Sequence, residues 1–191
     1  LDKNDLILQE SGCVGSENER GNTYMKKIGI VTDSHSSISQ EEAEKLGIFV
    51  LPMPFYIDGE CYYESVTLSR ELFFEKLAAG ADITTSQPSP TAVMEIWDKA
   101  LEQFEKILYM PISSGLSGSY ETAMMLAKDE AYEGRVLVVD DGQVAAPLHQ
   151  MVLDTLDMIE KGYEAEQIRD LLERAGDRMM IYIALQTLEC L

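Results

Sequence analysis

The chain has 191 residues, of which 46% are hydrophobic and 26% are charged, an ordinary globular balance that suits one large domain or one domain and part of another. Its formal net charge of −19 disfavours binding to nucleic acid, because such a surface repels phosphate groups. No stretch approaches the roughly 18 consecutive apolar residues that a membrane span requires, so we expect a soluble, cytoplasmic protein.

The first 24 residues differ from the rest of the chain. Residues 1–24 are polar, rich in glycine, serine and asparagine, and show neither sustained periodicity nor a secretory signal. We interpret them as a disordered or non-native extension, with Met25 as the natural start. After Met25, short apolar runs are typical of buried strands. These runs are Ile28–Val31, Phe49–Tyr56, Ile107–Met110 and Val136–Val139.

Helical patterns lie between the predicted strands. Ser39, Ser69 and Ser89 are placed to cap three helices, and Glu42 is placed to complete a capping box with Ser39. In the helix after Ser69, we expect a buried stripe of Leu72, Phe73 and Leu77. The predicted helices after the first are Ser69–Ala79, Ser89–Phe104, Gly118–Asp129 and Val144–Lys161. This alternation predicts a three-layer α/β domain with a mostly parallel sheet over residues 25–148.

A further helix and strand follow that domain. The pattern predicts a helix over Ala165–Ala175 and an apolar strand over Met179–Leu185. A strand of that composition needs neighbours on both edges, and none follows it in the sequence. We therefore predict that residues 149–191 are the incomplete start of a second α/β domain.

Three loops contain the residues that could bind a ligand, because an open α/β sheet places its binding crevice at the carboxyl ends of its strands. Thr32-Asp33-Ser34 follows the first strand, where a turn that satisfies its own backbone amides is the favoured interpretation. The loop at residues 84–90, TTSQPSP, leads into a helix, so its hydroxyls can cap that helix or join an anion site. Whether Thr85 and Ser86 face a ligand stays open on this pattern.

The third loop, residues 112–120, reads ISSGLSGSY and follows the Ile107–Met110 strand. Gly115 and Gly118 allow a tight turn and a close approach to a bound group, and serines with free amides suit a carboxylate or a phosphate. The spacing and the lysine of a Walker A loop are absent. A glycine-rich strand-to-helix turn without a ligand remains an alternative for this loop.

Classical catalytic and cofactor motifs are missing from the sequence. The cysteines Cys13, Cys61 and Cys190 are far apart and form no CxxC pair, so neither a disulfide framework nor a structural zinc site is expected. Asp33 with Asp140-Asp141 could hold a divalent cation for phosphoryl transfer. A small-anion or nucleotide-binding module is a second alternative, with residues 113–118 holding a phosphate.

Four segments together resemble the DegV family, over residues 27–191. They are IVTDSHSS (residues 30–37), TSQPSP (85–90), ISSGLSGSYETA (112–123) and VVDD (138–141). The resemblance implies a lipid-binding protein rather than an enzyme. Members bind a long-chain fatty acid, such as palmitate, between two α/β domains without a cofactor. They present its carboxylate to a fatty acid kinase of the dihydroxyacetone-kinase-like type.

The resemblance also implies which residues hold the carboxylate. Thr85 and Ser114 match the hydroxyls that bind it in the family. The residues that match the immediate neighbours of those hydroxyls are Ser86, Ser113, Gly115 and Ser117. The sequence departs from the family pattern at Asp141, where a carboxylate would repel the headgroup unless it points away. The second domain of the family supplies a histidine and a basic residue that this sequence does not contain. We therefore expect the chain to bind fatty acid weakly or not at all.

Overall fold

The computed structural model describes residues 26–63 and 66–182. The strands are β1 (Lys26–Asp33), β2 (Phe49–Leu51), β3 (Pro54–Ile57), β4 (Glu60–Tyr63), β5 (Ile83–Thr85), β6 (Phe104–Met110) and β7 (Val136–Val138). The helices are α1 (Gln40–Leu46), α2 (Arg70–Ala78), α3 (Pro90–Leu101), α4 (Ser119–Leu126), α5 (Ala145–Glu160) and α6 (Ala165–Gly176). In this part of the chain, no helix combines the length and the apolar character needed to cross a bilayer.

A parallel sheet with the order β2-β1-β6-β7 forms the centre of the fold. In β1, Val31 pairs with Phe49 of β2 on one side and with Tyr109 of β6 on the other. Parallel neighbours need long crossover connections, and helices provide them here. Because helices cover both faces of this sheet, the predicted three-layer α/β architecture is confirmed.

The strands bury both faces, since successive side chains point to opposite sides of a sheet. In β6, Leu108 and Met110 pack with residues of α1, α5 and α6, whereas Ile107 and Tyr109 pack with α3 and α4. Trp97 of α3 is completely buried, and its ring centroid lies 5.4 Å from that of Tyr109. Burial on both faces explains why these strands appear in the sequence as continuous apolar runs.

The prediction of one strand over Phe49–Tyr56 is wrong. The chain leaves the parallel sheet after Leu51 and resumes at Pro54 as β3, in a separate antiparallel sheet with the order β4-β3-β5. Pro52 and Pro54 lack the N–H group that a continuous inner strand donates to its neighbour. The segment is therefore divided between two sheets.

A tight hairpin joins β3 to β4. Its turn residues, Asp58 and Gly59, have φ angles of 51° and 84°, which is typical of a type I′ turn. The Asp-Gly dipeptide is the sequence signal for this hairpin, whereas β4 is too short and too exposed to be recognised from its sequence. On its other side, β3 pairs with β5, which places Thr85 opposite Phe55.

The three predicted serine caps are confirmed. The hydroxyls of Ser39, Ser69 and Ser89 each accept a hydrogen bond from the backbone N–H three residues later. Glu42 does not complete the predicted capping box. Its Oε1 lies instead 3.1 Å from Nε2 of His149 on α5.

Two details of the predicted helices are wrong. The helix predicted over Ser89–Phe104 ends at Leu101, and Phe104 begins β6, where its ring covers Gly29 so closely that a Cβ there would lie 2.5 Å from it. The predicted stripe on α2 is not buried either. Leu72 is 43% exposed and Leu77 is 47% exposed, because α2 packs against the small sheet through Phe73 and borders an open cleft.

The end of the chain tests the predicted second domain only in part. Residues 179–182, the first part of the predicted Met179–Leu185 strand, form no regular secondary structure, and the remainder lies outside the described residues, as do residues 1–24. The predicted boundary between residues 148 and 149 falls inside α5, which packs with α6 on the parallel sheet. The division into two domains stays a prediction.

Candidate functional site

A cleft of about 550 Å³ lies between the carboxyl ends of β1 and β6 and the small antiparallel sheet with α2. This volume is within the range of about 300–1,000 Å³ that is usual for small-molecule sites. Its apolar wall consists mainly of Met53, Phe55, Leu68, Phe73, Phe74 and Ile83. Its polar residues are His35, Ser69, Thr85, Ser86, Gln87 and Ser117.

Aromatic rings in contact with one another form the apolar wall. The ring centroids of Phe55 and Phe73 lie 5.6 Å apart, and those of Phe73 and Phe74 lie 5.5 Å apart, both in edge-to-face arrangements. Phe74 is nevertheless 53% exposed. A large apolar surface that faces an open cleft is a candidate binding surface, because burying it would release free energy.

The first predicted loop forms a structural turn. Asp33 is fully buried, and its two carboxylate oxygens accept hydrogen bonds from the backbone N–H groups of His35, at 2.9 Å, and Ile112, at 2.8 Å. Ser34 Oγ accepts a hydrogen bond from the backbone N–H of Met53 at 3.1 Å. The interpretation as a turn that satisfies backbone amides is confirmed. Asp33 also links the carboxyl end of β1 to the loop after β6.

The second loop brings hydroxyls to the cleft. Thr85, at the end of β5, and Ser86 both line it. The backbone N–H of Ser86 donates to the carbonyl of Pro54 at 3.3 Å, and its hydroxyl donates to the carbonyl of Gln87 at 3.2 Å. These bonds fix Ser86, and β-sheet pairing holds Thr85 beside Phe55 at the aromatic wall.

Hydrogen bonds of its own serine side chains stabilise the conformation of the third loop. Ser113 Oγ accepts a hydrogen bond from the backbone N–H of Gly115 at 3.2 Å, and Ser117 Oγ lies 3.0 Å from Ser119 Oγ. The backbone N–H of Ser114 donates to Oδ1 of Asp140 at 3.3 Å. Hydroxyls used in this way shape the loop, which is what a strand-to-helix turn requires.

The structure brings three of the six predicted site residues together in the cleft: Thr85, Ser86 and Ser117. Ser113, Ser114 and Gly115 belong to the same loop as Ser117 but do not line the cleft. Their predicted contact with a ligand therefore stays a prediction.

Asp141 lies beside the third loop without facing the cleft. It is only 1% exposed, and Oδ1 of its carboxylate accepts a hydrogen bond from the backbone N–H of Gln143 at 2.9 Å. Burial, together with the nearby carboxylates of Asp140 and Asp33, raises the pKa of Asp141 to about 7. Repulsion of a ligand by this side chain is thereby reduced. Among the residues the structure describes, no group of three or more potential ligands is placed to hold a metal ion.

The cleft also contains residues that the sequence did not identify as site residues. The aromatic wall was missed because the pattern on α2 indicates a buried stripe. Gln87 was missed because its role depends on a distant contact, a hydrogen bond that its Oε1 accepts from Thr122 Oγ1 of α4. The DG dipeptide at Asp58-Gly59 was the available signal for the small sheet that supports Phe55.

Comparison with known proteins identifies the family. The profile of the family described as uncharacterised proteins of the DegV type matches residues 27–191, most of the chain. The chain belongs to the DegV family. A DegV domain-containing protein of Caldanaerobacter subterraneus subsp. tengcongensis is 34% identical over 144 residues, which are 75% of this chain and 51% of that protein.

Solved DegV structures share the fold. A fatty-acid-binding DegV family protein from Thermus thermophilus superposes with a TM-score of 0.71 at 33% identity, over 79% of this chain and 54% of that one. A stearic-acid-binding protein from Eubacterium ventriosum gives a TM-score of 0.66 at 25% identity, over 78% and 52%. The chain therefore spans about half the length of the relatives that it matches.

Proposed function

We propose that the cleft binds a long-chain fatty acid, such as palmitate, and that this protein is a lipid-binding protein rather than an enzyme. The observation that carries the proposal is the juxtaposition of an aromatic wall, Phe55 with Phe73 and Phe74, and a group of hydroxyls in the same cleft. Proteins similar to this one in fold and sequence are described as binding fatty acids.

The tail supplies most of the affinity in this proposal. Each buried methylene contributes about 0.8 kcal/mol, so ten of them contribute roughly 8 kcal/mol before the costs of association. A hydrogen bond to a charged group contributes about 1.5–3 kcal/mol, which is largely offset by removing water from the carboxylate. The aromatic wall therefore holds the ligand, and the polar residues orient it.

The fatty-acid headgroup is placed next to the serine and threonine hydroxyls in this proposal. We assign the carboxylate to Thr85 and Ser114, with Ser86, Ser113, Gly115 and Ser117 as their neighbours. Support comes from the position of Thr85 in the cleft and of Ser114 in the loop that contributes Ser117 to it. In this arrangement the carboxylate stays near the carboxyl ends of the parallel strands. A fatty acid kinase of the dihydroxyacetone-kinase-like type would reach it there and form the acyl phosphate.

An alternative as a nucleotide-binding or phosphoryl-transfer protein fits the cleft less well. Neither lysine nor arginine occurs among the described residues that line it, and the apolar wall offers nothing to a phosphate. Phosphate sites rely on cationic side chains, on metal ions or on converging backbone amides.

Native mass spectrometry and calorimetric titration test the proposal directly. The chain should bind added palmitate or decanoate weakly, and it is not expected to retain an acyl chain through purification. Adding ATP and a purified kinase of the stated type should then yield acyl phosphate. A chain that takes up no fatty acid but binds a nucleotide would overturn the proposal.

A further inference from the structure

His35 is the one residue with an ionisable imidazole, amine, guanidinium or carboxyl group among the described residues that line the cleft. It follows β1 directly, in a short 3₁₀ turn at residues 34–36, and Ser117 belongs to the loop after β6. Because β1 and β6 are adjacent and parallel, their carboxyl ends meet at one edge of the sheet. His35 therefore belongs to the polar side of the cleft, where the proposed headgroup lies.

Asp33 fixes the position of His35. Nδ1 of the imidazole lies 3.3 Å from Oδ1 of Asp33, and the backbone N–H of His35 donates to the same oxygen at 2.9 Å. The other oxygen of Asp33 is held by the backbone N–H of Ile112. A buried carboxylate attracts an imidazole that carries protons on both nitrogens, because the two charges are opposite. In that form the ring keeps Nε2–H as a charged donor.

A charged donor gives the cleft a selectivity that hydroxyls alone cannot give. Serine and threonine hydroxyls donate and accept hydrogen bonds, so they can bind an uncharged alcohol as well as a carboxylate. A protein with a net charge of −19 also repels an approaching anion. A cation inside the cleft offsets this repulsion for a ligand that carries a carboxylate.

We infer that His35, held by Asp33, contacts the ligand carboxylate and makes the cleft select fatty acids over uncharged lipids of the same chain length. The inference deepens the proposed function and rests on it. It requires that the affinity for the acid and the affinity for the alcohol depend on His35 to different extents.

Calorimetric titration of the full 191-residue chain with decanoate and with decanol measures this selectivity, because the two ligands share their tail and differ in the headgroup. His35→Ala should weaken decanoate binding by about tenfold to a hundredfold, the effect expected for one hydrogen bond to a charged group. Decanol binding should not change, which also shows that the variant keeps an intact cleft. His35→Gln keeps a hydrogen-bond donor but removes the charge, so it should lose less decanoate affinity than His35→Ala.

His149→Gln is the matched control, because the other histidine lies on α5 and pairs with Glu42 away from the cleft. It should leave both affinities unchanged. Equal losses for decanoate and decanol in His35→Ala, or no loss for either, would overturn the inference while leaving the proposed function intact. If the unaltered chain binds neither ligand, the proposed function fails, and the inference fails with it.

Discussion

Thr122 of α4 donates a hydrogen bond from its hydroxyl to the side-chain carbonyl of Gln87, across 3.1 Å. The two residues are 35 positions apart. Gln87 belongs to the loop at residues 84–90, and Thr122 lies on the helix that follows the loop after β6. Gly118 lies next to this hydrogen bond, since a Cβ at that position would be 3.4 Å from Oε1 of Gln87. Through Gln87, the polar loop after β5 is attached to α4, the helix that follows the loop after β6.

Replacing Thr122 with Val should weaken ligand binding and should destabilise the fold only slightly. The change keeps the shape of the side chain but removes the donor, so the loop at residues 84–90 loses its connection to α4. A typical hydrogen bond contributes about 0.5–1.5 kcal/mol, and this one is exposed, so we expect the free energy of unfolding to fall by no more than about 1 kcal/mol. Decanoate affinity, measured by calorimetry, should fall several-fold.

Gln150→Ala is the control for this prediction. It removes an exposed hydrogen bond of a similar kind, from Gln150 to Asp154, on a helix that does not border the cleft. Equal losses of affinity in Thr122→Val and Gln150→Ala would show that the contact between Thr122 and Gln87 has no specific role.

Substitutions at Phe74 and Leu77, which both lie on α2, distinguish an effect on ligand binding from an effect on stability. Both are about half exposed, but only Phe74 lines the cleft. Phe74→Ala should lower decanoate affinity by about tenfold, because the tail loses apolar contact area, and should hardly change the unfolding midpoint. Leu77→Ala should change neither quantity. A loss of affinity in Leu77→Ala as large as that in Phe74→Ala would place the tail elsewhere.

The sequence could predict the parallel sheet because its strands are buried on both faces and therefore form uninterrupted apolar runs. Ile28–Val31 and Ile107–Met110 show this pattern, and both lie inside observed strands. The helix caps were predictable for a local reason, since a serine caps a backbone N–H only three residues away. The loops at the carboxyl ends of these strands could then be located from the strands alone.

The small sheet and the aromatic wall could not be predicted in the same way. The strands β4 and β5 are four and three residues long and mostly exposed, so no apolar pattern distinguishes them from a loop. On α2, a helical stripe of apolar residues has the same appearance whether a core or a ligand covers it. The contact between Gln87 and Thr122 depends on tertiary structure and leaves no local signal.

Thr85→Val should weaken decanoate binding, and Thr84→Val should not. Both residues lie on β5, but successive side chains point to opposite faces, and only Thr85 lines the cleft. The substitution keeps the volume of the side chain and removes its hydroxyl. We expect a loss of several-fold to tenfold, as for one hydrogen bond to a charged group whose gain is partly offset by desolvation.

Ser114→Ala examines the other proposed headgroup residue by the same titration. We expect a comparable loss, because its hydroxyl is assigned to the same carboxylate. If Thr85→Val weakens binding and Ser114→Ala leaves it unchanged, the carboxylate is held by Thr85 without Ser114. If Thr84→Val causes the same loss as Thr85→Val, the effect arises from the strand and not from a hydroxyl in the cleft.

Asp141 should make the stability of the protein depend on pH. Its pKa is raised from the model-compound value of 3.8 to about 7 in the folded protein, mainly by burial. The folded state therefore favours the protonated carboxyl more than the unfolded state does. The stability that comes from this preference is fully present below about pH 3.8. It is lost as the pH rises towards 7. With 1.36 kcal/mol for each pKa unit, the cost above pH 7 is on the order of 4 kcal/mol.

Asp141→Asn should remove this dependence. Asparagine keeps the oxygen that accepts the backbone N–H of Gln143 and carries no charge at any pH. Its amide N–H groups replace Oδ2, which has no hydrogen-bond partner among the described residues, and leaving them unpaired costs about 1–3 kcal/mol. The variant should thus be more stable than the unaltered chain at pH 8 by about 1–3 kcal/mol and lose this advantage by pH 5. Urea unfolding at both pH values measures the difference.

Asp129→Asn provides the matched comparison, because Asp129 is an exposed turn residue whose carboxylate also accepts a backbone hydrogen bond, from Ala131. That substitution should shift the unfolding midpoint equally at pH 5 and pH 8. If Asp141→Asn also shifts the midpoint equally at both values, the carboxyl of Asp141 does not titrate in this range. Its burial beside Asp140 and Asp33 would then be compensated by contacts that keep it charged, and the loop at residues 112–118 would lie next to a fixed negative charge.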